Sequence, residues 1–139
     1  MLRSSAMSDA GLITIASPRS VKETIDRLEA AAVAAGLKIF ARIDHRAGAE
    51  SVGMPLRPTE LVIFGNPKGG TPLMQDRQLV GIDLPVKALA WQDEAGRVWL
   101  SYNDPAWLAE RHGLTAASAD SVAAIQKGMA SLTAAATQA

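Results

Sequence analysis

The chain has 139 residues, 48 % hydrophobic and 20 % charged, which suits one domain large enough to bury a real core. Its 14 basic and 14 acidic residues give a net charge of +0, without the basic excess through which nucleic-acid binders neutralise phosphate, so nucleic acid is not an expected partner. A cysteine count of 0 removes disulfides, thiolate metal sites and thiol catalysis, and fits a reducing compartment.

Residues 1–10 carry Arg3 with no apolar stretch behind it. They read as a disordered lead-in rather than a secretory leader, with Met7 as an alternative start. Residues 11–139 form the expected single domain. No apolar run approaches the roughly 20 residues of a membrane span, so the expected location is the cytoplasm, away from membranes.

Gly11 to Ala16 is a short β run. Ser17-Pro18 and Ser20-Val21-Lys22-Glu23 compete as helix starts. The helix that follows, near Pro18 to Ala35, carries Val21, Ile25, Leu28, Ala32 and Ala35 on one stripe, and Gly36 stops it. Leu37 to Asp44 alternates as a half-buried strand, with Leu37, Ile39, Ala41 and Ile43 on one face. Ala47 to Pro58, with Gly48, Gly53, Pro55 and Pro58, reads as a loop. Glu60 to Gly65 is a third strand. Asn66 to Gly70 reads as a tight turn, after which Thr71-Pro72 starts a short helix to about Leu79.

Asp83 to Gln92 and Arg97 to Tyr102 form a hairpin around Asp93-Glu94-Ala95-Gly96. A four-residue loop there pairs Lys87 with Tyr102, Leu89 with Leu100 and Trp91 with Val98. Asp104-Pro105 caps a helix that ends at Gly113. Thr115 to about Ala136 is an Ala-rich helix with a stripe of Val122, Ile125, Met129 and Leu132. The fold class is therefore α+β: one mostly antiparallel sheet of four or five strands with helices packed on one face.

Several separated segments occur together in this order: Ile43-Asp44-His45, Phe64-Gly65-Asn66-Pro67, Gly70-Thr71-Pro72-Leu73-Met74, Asp83-Leu84-Pro85-Val86-Lys87 and Tyr102-Asn103-Asp104-Pro105. They resemble the bacterial and archaeal family called domain of unknown function 302, from about Gly11 to Gly113 and more weakly into the last helix. The resemblance implies a β-α-β4-α type fold, similar in outline to half of the TATA-binding protein, and commonly a homodimer. It implies no activity.

Chemistry is sparse. Asn66, Lys68, Gly69, Gly70 and Thr71 read as a ligand-binding loop: two glycines let backbone N–H groups converge beside a helix start, and Lys68 adds charge. That pattern lacks the GxxxxGK[ST] spacing of a Walker loop. The alternative is a turn that simply needs glycine. His45, at a strand end, is a candidate acid/base, or a histidine that organises its loop. Lys87, on an apolar strand face, is a candidate electrostatic stabiliser or a structural ion-pair member, with Asp83 and Asp44 as partners in reach. His112 sits where a cation favours a helix C-terminus. No ligand-spaced cluster argues for a metal, and no cofactor is expected. The reading is a homodimeric module for a small anionic ligand. The alternatives are a cofactor-independent enzyme using His45, and a structural or partner-binding dimer without a ligand. A pocket that gathers His45, Lys68 and Lys87 favours ligand or catalysis; their dispersal favours the structural dimer.

Overall fold

Alternating side chains and helical stripes divide the chain between one sheet and one helical layer. The structure, a computed structural model, describes residues 7–139. In chain order it forms β1 (Met7–Asp9), β2 (Leu12–Ser17), α1 (Val21–Ala34), β3 (Lys38–Asp44), α2 (His45–Ser51), β4 (Thr59–Gly65) and α3 (Pro67–Asp76). A 3-10 segment (Gln78–Asp83) leads to β5 (Val86–Gln92), β6 (Val98–Asn103) and α4 (Pro105–His112), then a 3-10 turn (Ala116–Ser118) leads to α5 (Ala119–Thr137). The sheet order is β1-β2-β6-β5-β4-β3, antiparallel throughout. The α+β class holds, with five long strands and the three-residue β1 added at the edge.

The expected disordered lead-in lies outside the described residues for positions 1–6. Met7–Asp9 instead pair with β2, Asp9 opposite Leu12, through a two-residue turn at Ala10 and Gly11 with φ of 54° and 83°. Left-handed values at both positions are what a type I′ hairpin turn requires.

Helix α1 starts at the second of the two competing signals. Ser20 Oγ accepts from Glu23 N at 3.1 Å, and Glu23 Oε1 accepts from Ser20 N at 3.4 Å. Ser17 is left to bond the buried Thr24 hydroxyl at 2.7 Å. Val21, Ile25, Leu28 and Ala32 of α1 are buried against Val62 and Phe64 of β4, Ala88 and Ala90 of β5, and Leu100 and Tyr102 of β6. Met129, Leu132 and Ala136 of α5 complete this core. Each large side chain so buried is worth about 1.5–3 kcal/mol. Helix α5 has no basic residue in its own last turn, and guanidiniums from elsewhere cover that end. Arg27 Nη2 donates to Ala135 O at 3.2 Å and Arg19 Nε to Gln138 O at 3.1 Å.

Three local readings are corrected. A bulge at Phe40 breaks the even alternation of β3: Ile39 pairs with Phe64, but Ala41 with Ile63 and Arg42 with Val62. Arg42 therefore joins Ile39 on the helical face, where it reaches Asp26 at 2.7 Å and Glu60 at 3.0 Å, while Ala41 and Ile43 turn to the opposite face. Secondly, the segment after β3 begins as helix α2, not as loop or strand, because Asp44 Oδ1 caps Ala47 N at 2.9 Å. Thirdly, the β5–β6 register is shifted by one residue, with Ala88 opposite Tyr102, Leu89 opposite Ser101 and Trp91 opposite Trp99. A turn closes at Asp93 O to Gly96 N (3.0 Å). Gly96 then takes φ 86° and adds a bulge residue before Asp93 N meets Arg97 O.

Helices α3, α4 and α5 pack on the same side as α1. On the other face of the sheet lie Leu12, Thr14, Leu61, Lys87, Leu89, Trp91, Trp99 and Ser101, which together line a broad concavity.

Candidate functional site

Where β4 ends, α3 begins. Asn66 is its N-cap and Pro67 its first residue, so the helix starts before the glycine pair rather than after it. This decides the fate of the expected anion cradle. Lys68 N donates to Asn66 Oδ1 at 2.9 Å, and Gly69 N and Gly70 N donate to Asn66 O at 2.9 and 3.2 Å. These amides are ordinary turn and helix donors, and the converging set expected at Asn66, Lys68, Gly69, Gly70 and Thr71 does not form.

The same loop instead forms one wall of a cavity of about 420 Å³ between α3, α5 and the β4–β5 end of the sheet. Its floor is Phe64 and Val86, its flanks are Met74 and Leu84, and its roof is the α5 stripe Ala124, Ile125, Gly128, Met129 and Leu132. Gly65, Gly69, Gly70 and Gly81 also line it. None of these glycines, nor Gly128, has a positive φ. Their role is space. A Cβ on Gly70 would stand 3.6 Å from Leu84 Cδ1, and one on Gly81 would stand 3.1 Å from Met74 Sδ. At Gly128 a Cβ would meet nothing within 4 Å. A helix-interior glycine costs about 1 kcal/mol relative to alanine, so an open space beside it is held at some expense of stability.

No charged side chain lines the cavity. Asn66 and Thr71 are its polar side chains, and Lys68, beside them, is exposed. His45 is the exposed first residue of α2. It follows Asp44, which pairs with Glu60 at the start of β4, whereas Asn66 follows the end of β4, about 20 Å away at strand rise. Lys87 pairs with Ile63 and points to the opposite face of the sheet. His45, Lys68 and Lys87 are thus dispersed, no acid/base pair assembles from them, and their dispersal counts toward the structural dimer and leaves a ligand site to rest on other residues. Among the described residues no cluster of three or more His, Asp or Glu is placed to hold a metal.

Asp83, expected beside Lys87, binds elsewhere. Its Oδ2 takes His112 Nε2 at 2.5 Å and Arg111 Nη1 at 3.0 Å. His112 was legible only as a favourable helix-end charge; its partner lies 29 residues away. This link holds the 3-10 wall of the cavity to the end of α4. Asp76 fastens the end of α3 to the start of the α5 region, accepting from Ser118 Oγ at 2.7 Å and from Thr115 N and Oγ1 at 2.7 and 2.9 Å.

Hydrogen bonds from Ser118 and then Thr115 hold the Asp76 carboxyl below its ordinary 3.8. Asp93 is lowered by the Trp99 indole and the Arg97 amide, and Asp26 by Lys22 and Arg42. A carboxyl whose native pKa is depressed stabilises the fold fully above its unfolded value and loses that contribution as pH falls through the native value. The urea midpoint is therefore expected to fall as pH drops from about 4 toward 2, and Asp76→Asn should make the fall shallower. A wild-type midpoint indifferent to pH in that range would contradict the assignment.

A family model described as "Domain of unknown function DUF302" matches residues 13–132. The chain belongs to the DUF302 family. The fold agrees: a crystal structure of an uncharacterised conserved DUF302 protein from Bacillus stearothermophilus superposes with a TM-score of 0.80 at 21 % identity, covering 92 % of this chain and 98 % of that one. Curated relatives carry a different kind of name. The "Fluoride-specific ion channel FluC 1" of Brucella suis biovar 1 (strain 1330) is 52 % identical over 125 residues, 90 % of this chain but 49 % of the channel protein. The protein of the same name from Brucella abortus biovar 1 (strain 9-941) is 52 % identical over 90 % of this chain and 46 % of its own length. The chain thus spans about half the length of the curated relatives it matches. No helix among the described residues is long and apolar enough to cross a membrane.

Proposed function

We propose that this DUF302 protein is a homodimeric binding module that holds a small molecule in the cavity between α3, α5 and the end of β4. The observation that carries the reading is the cavity itself: about 420 Å³, within the usual range for ligand sites, and kept open by glycines that need no special backbone angle. The expected anionic ligand is not retained, because the amides that would have held it are spent within α3. A thermal-shift screen of an uncharged compound library tests the reading, since a ligand of the native state raises the melting point. Hits that lose their shift in Gly128→Leu support it, and hits indifferent to that change move the site elsewhere.

The dimer is assigned to the face of the sheet opposite α1 and α5. Its two indoles are already satisfied within the chain: Trp91 Nε1 donates to Ser101 Oγ at 2.9 Å, and Trp99 Nε1 to Asp93 Oδ2 at 2.9 Å. Ser101 Oγ is further bonded to Thr14 Oγ1 at 2.8 Å. Such a face can lose water without stranding those donors, which favours burial against a second copy. Light scattering at micromolar concentration is expected to give twice the 14.6 kDa chain mass, and Leu89→Asp to give the monomer. A wild-type mass of 14.6 kDa would reject the dimer.

The channel relatives favour a second reading, a domain that accompanies a membrane ion channel. A channel must cross the membrane, and the half of those relatives that matches this chain corresponds to a fold without a helix able to do so. The conducting part would then lie in the other half, with this domain outside the bilayer. Fluoride efflux from vesicles holding a Brucella FluC protein with and without the matched half decides this reading. Identical fluxes, with no response to added ligand, would reject it.

A further inference from the structure

We infer that the cavity selects an uncharged amphiphile: an alkyl or aryl body of up to about 14 heavy atoms with one hydrogen-bond-accepting end. The inference rests on the cavity being the ligand site, and names the chemistry that site can accept. Its lining carries no charged side chain, and an ion moved into it would lose hydration with no partner to offset the loss. The size follows from about 420 Å³ of space and roughly 30 Å³ per water-sized group. The length follows from α5, whose lining residues run from Ala124 to Leu132, or about 12 Å at helical rise. Two methionines, Met74 and Met129, face this space, and their unbranched thioethers adapt to a body of variable shape.

The polar end is set at the rim. Asn66 Oδ1 is occupied by the Lys68 amide, and Asn66 Nδ2 has no hydrogen-bond partner among the described residues. The rim therefore offers N–H donors from Asn66 and the Thr71 hydroxyl beside them. A hydroxyl, ester or amide oxygen at the end of an apolar body meets that arrangement. A carboxylate accepts from the same donors, but it gives up far more hydration against the apolar lining, and Lys68, exposed outside that lining, attracts it only through water and salt.

Calorimetric titration with n-hexanol, n-octanol and n-decanol, against octanoate and octylammonium, tests the class. Affinity for the alcohols should rise about fourfold per added methylene, the equivalent of about 0.8 kcal/mol, with both ions bound at least about tenfold more weakly than octanol. Gly128→Leu and, from one turn away, Ala124→Leu should each remove binding. Gly128→Ala, which adds one methyl group into open space, should keep it and confirm that the helix tolerates substitution there. If octanoate or octylammonium binds as tightly as octanol and both filling variants abolish it, the neutral class is overturned and the cavity site stands. If no alcohol binds saturably, or binding survives both filling variants, the cavity reading falls and the class falls with it.

Discussion

Phe64→Ala is expected to destabilise the protein by about 3–5 kcal/mol, with a loss of about 10–20 °C in melting temperature for a domain of this size. Phe64 is 0 % exposed, on β4, paired on one side with Ile39 of the edge strand β3 and on the other with Val86 of β5, where the main core meets the cavity. Removing its ring forfeits the transfer energy of the side chain and enlarges a space that is already empty. Relaxation into that space is limited because the floor is backbone-paired sheet. Phe40, the other phenylalanine of the chain, supplies the contrast. It also lines the cavity but sits at the β3 bulge and is 45 % exposed. Phe40→Ala should cost about 1 kcal/mol or less, in keeping with changes away from a packed core. Urea unfolding of both variants decides the matter, with unchanged m values as the check on two-state behaviour. Equal costs at the two positions would mean that Phe64 is not a core residue.

The pair also shows how far sequence pattern reached. Elements set by neighbours a few residues apart were readable: the α1 stripe with its capping box, the strand read at Glu60 to Gly65 and found at Thr59–Gly65, and helix α4 between the Asp104 cap and Gly113 at φ 64°. Face assignments failed where one inserted residue changes parity. Strict alternation places Ile39 and Ile43 together, and the Phe40 bulge separates them. The cavity was illegible for another reason. Leu37, Phe64, Leu84 and Ile125 meet there from four separate stretches of chain, and no local period links them. Glycine misled in a specific way. The Gly69-Gly70 pair reads as backbone freedom or as amides for an anion, but both residues are helical, and a Cβ on either would stand at ordinary contact distance, 3.8 Å from Ile125 and 3.6 Å from Leu84, on the cavity wall. Glycine inside an otherwise apolar helix face, as at Gly128, was the available signal, since a side chain there would stabilise α5.

Gly11→Ala is expected to cost about 2–6 kcal/mol, from two separable causes. Gly11 has φ 83°, where an alanine is strained by about 1–3 kcal/mol. It also lies under the Trp107 ring of α4, so that an added Cβ would stand 2.2 Å from Cδ2 and 2.5 Å from Cγ. No carbon pair tolerates that approach, and the ring or the turn must move. Neither moves freely, because Asp104 N, at the cap of α4, donates to Gly11 O at 2.8 Å and ties the two together. Overpacking of this kind costs about 1–3 kcal/mol. Gly36 separates the causes: its φ is 82°, nearly the same, but a Cβ there meets nothing within 4 Å. Gly36→Ala therefore reports the backbone strain alone. Trp107→Ala in the Gly11→Ala background should recover the steric part and leave the strain, so a double-mutant cycle between positions 11 and 107 should show a coupling of about 1–3 kcal/mol. Gly11→Ala and Gly36→Ala of equal cost, with no coupling to Trp107, would show that α4 does not pack on the β1–β2 turn.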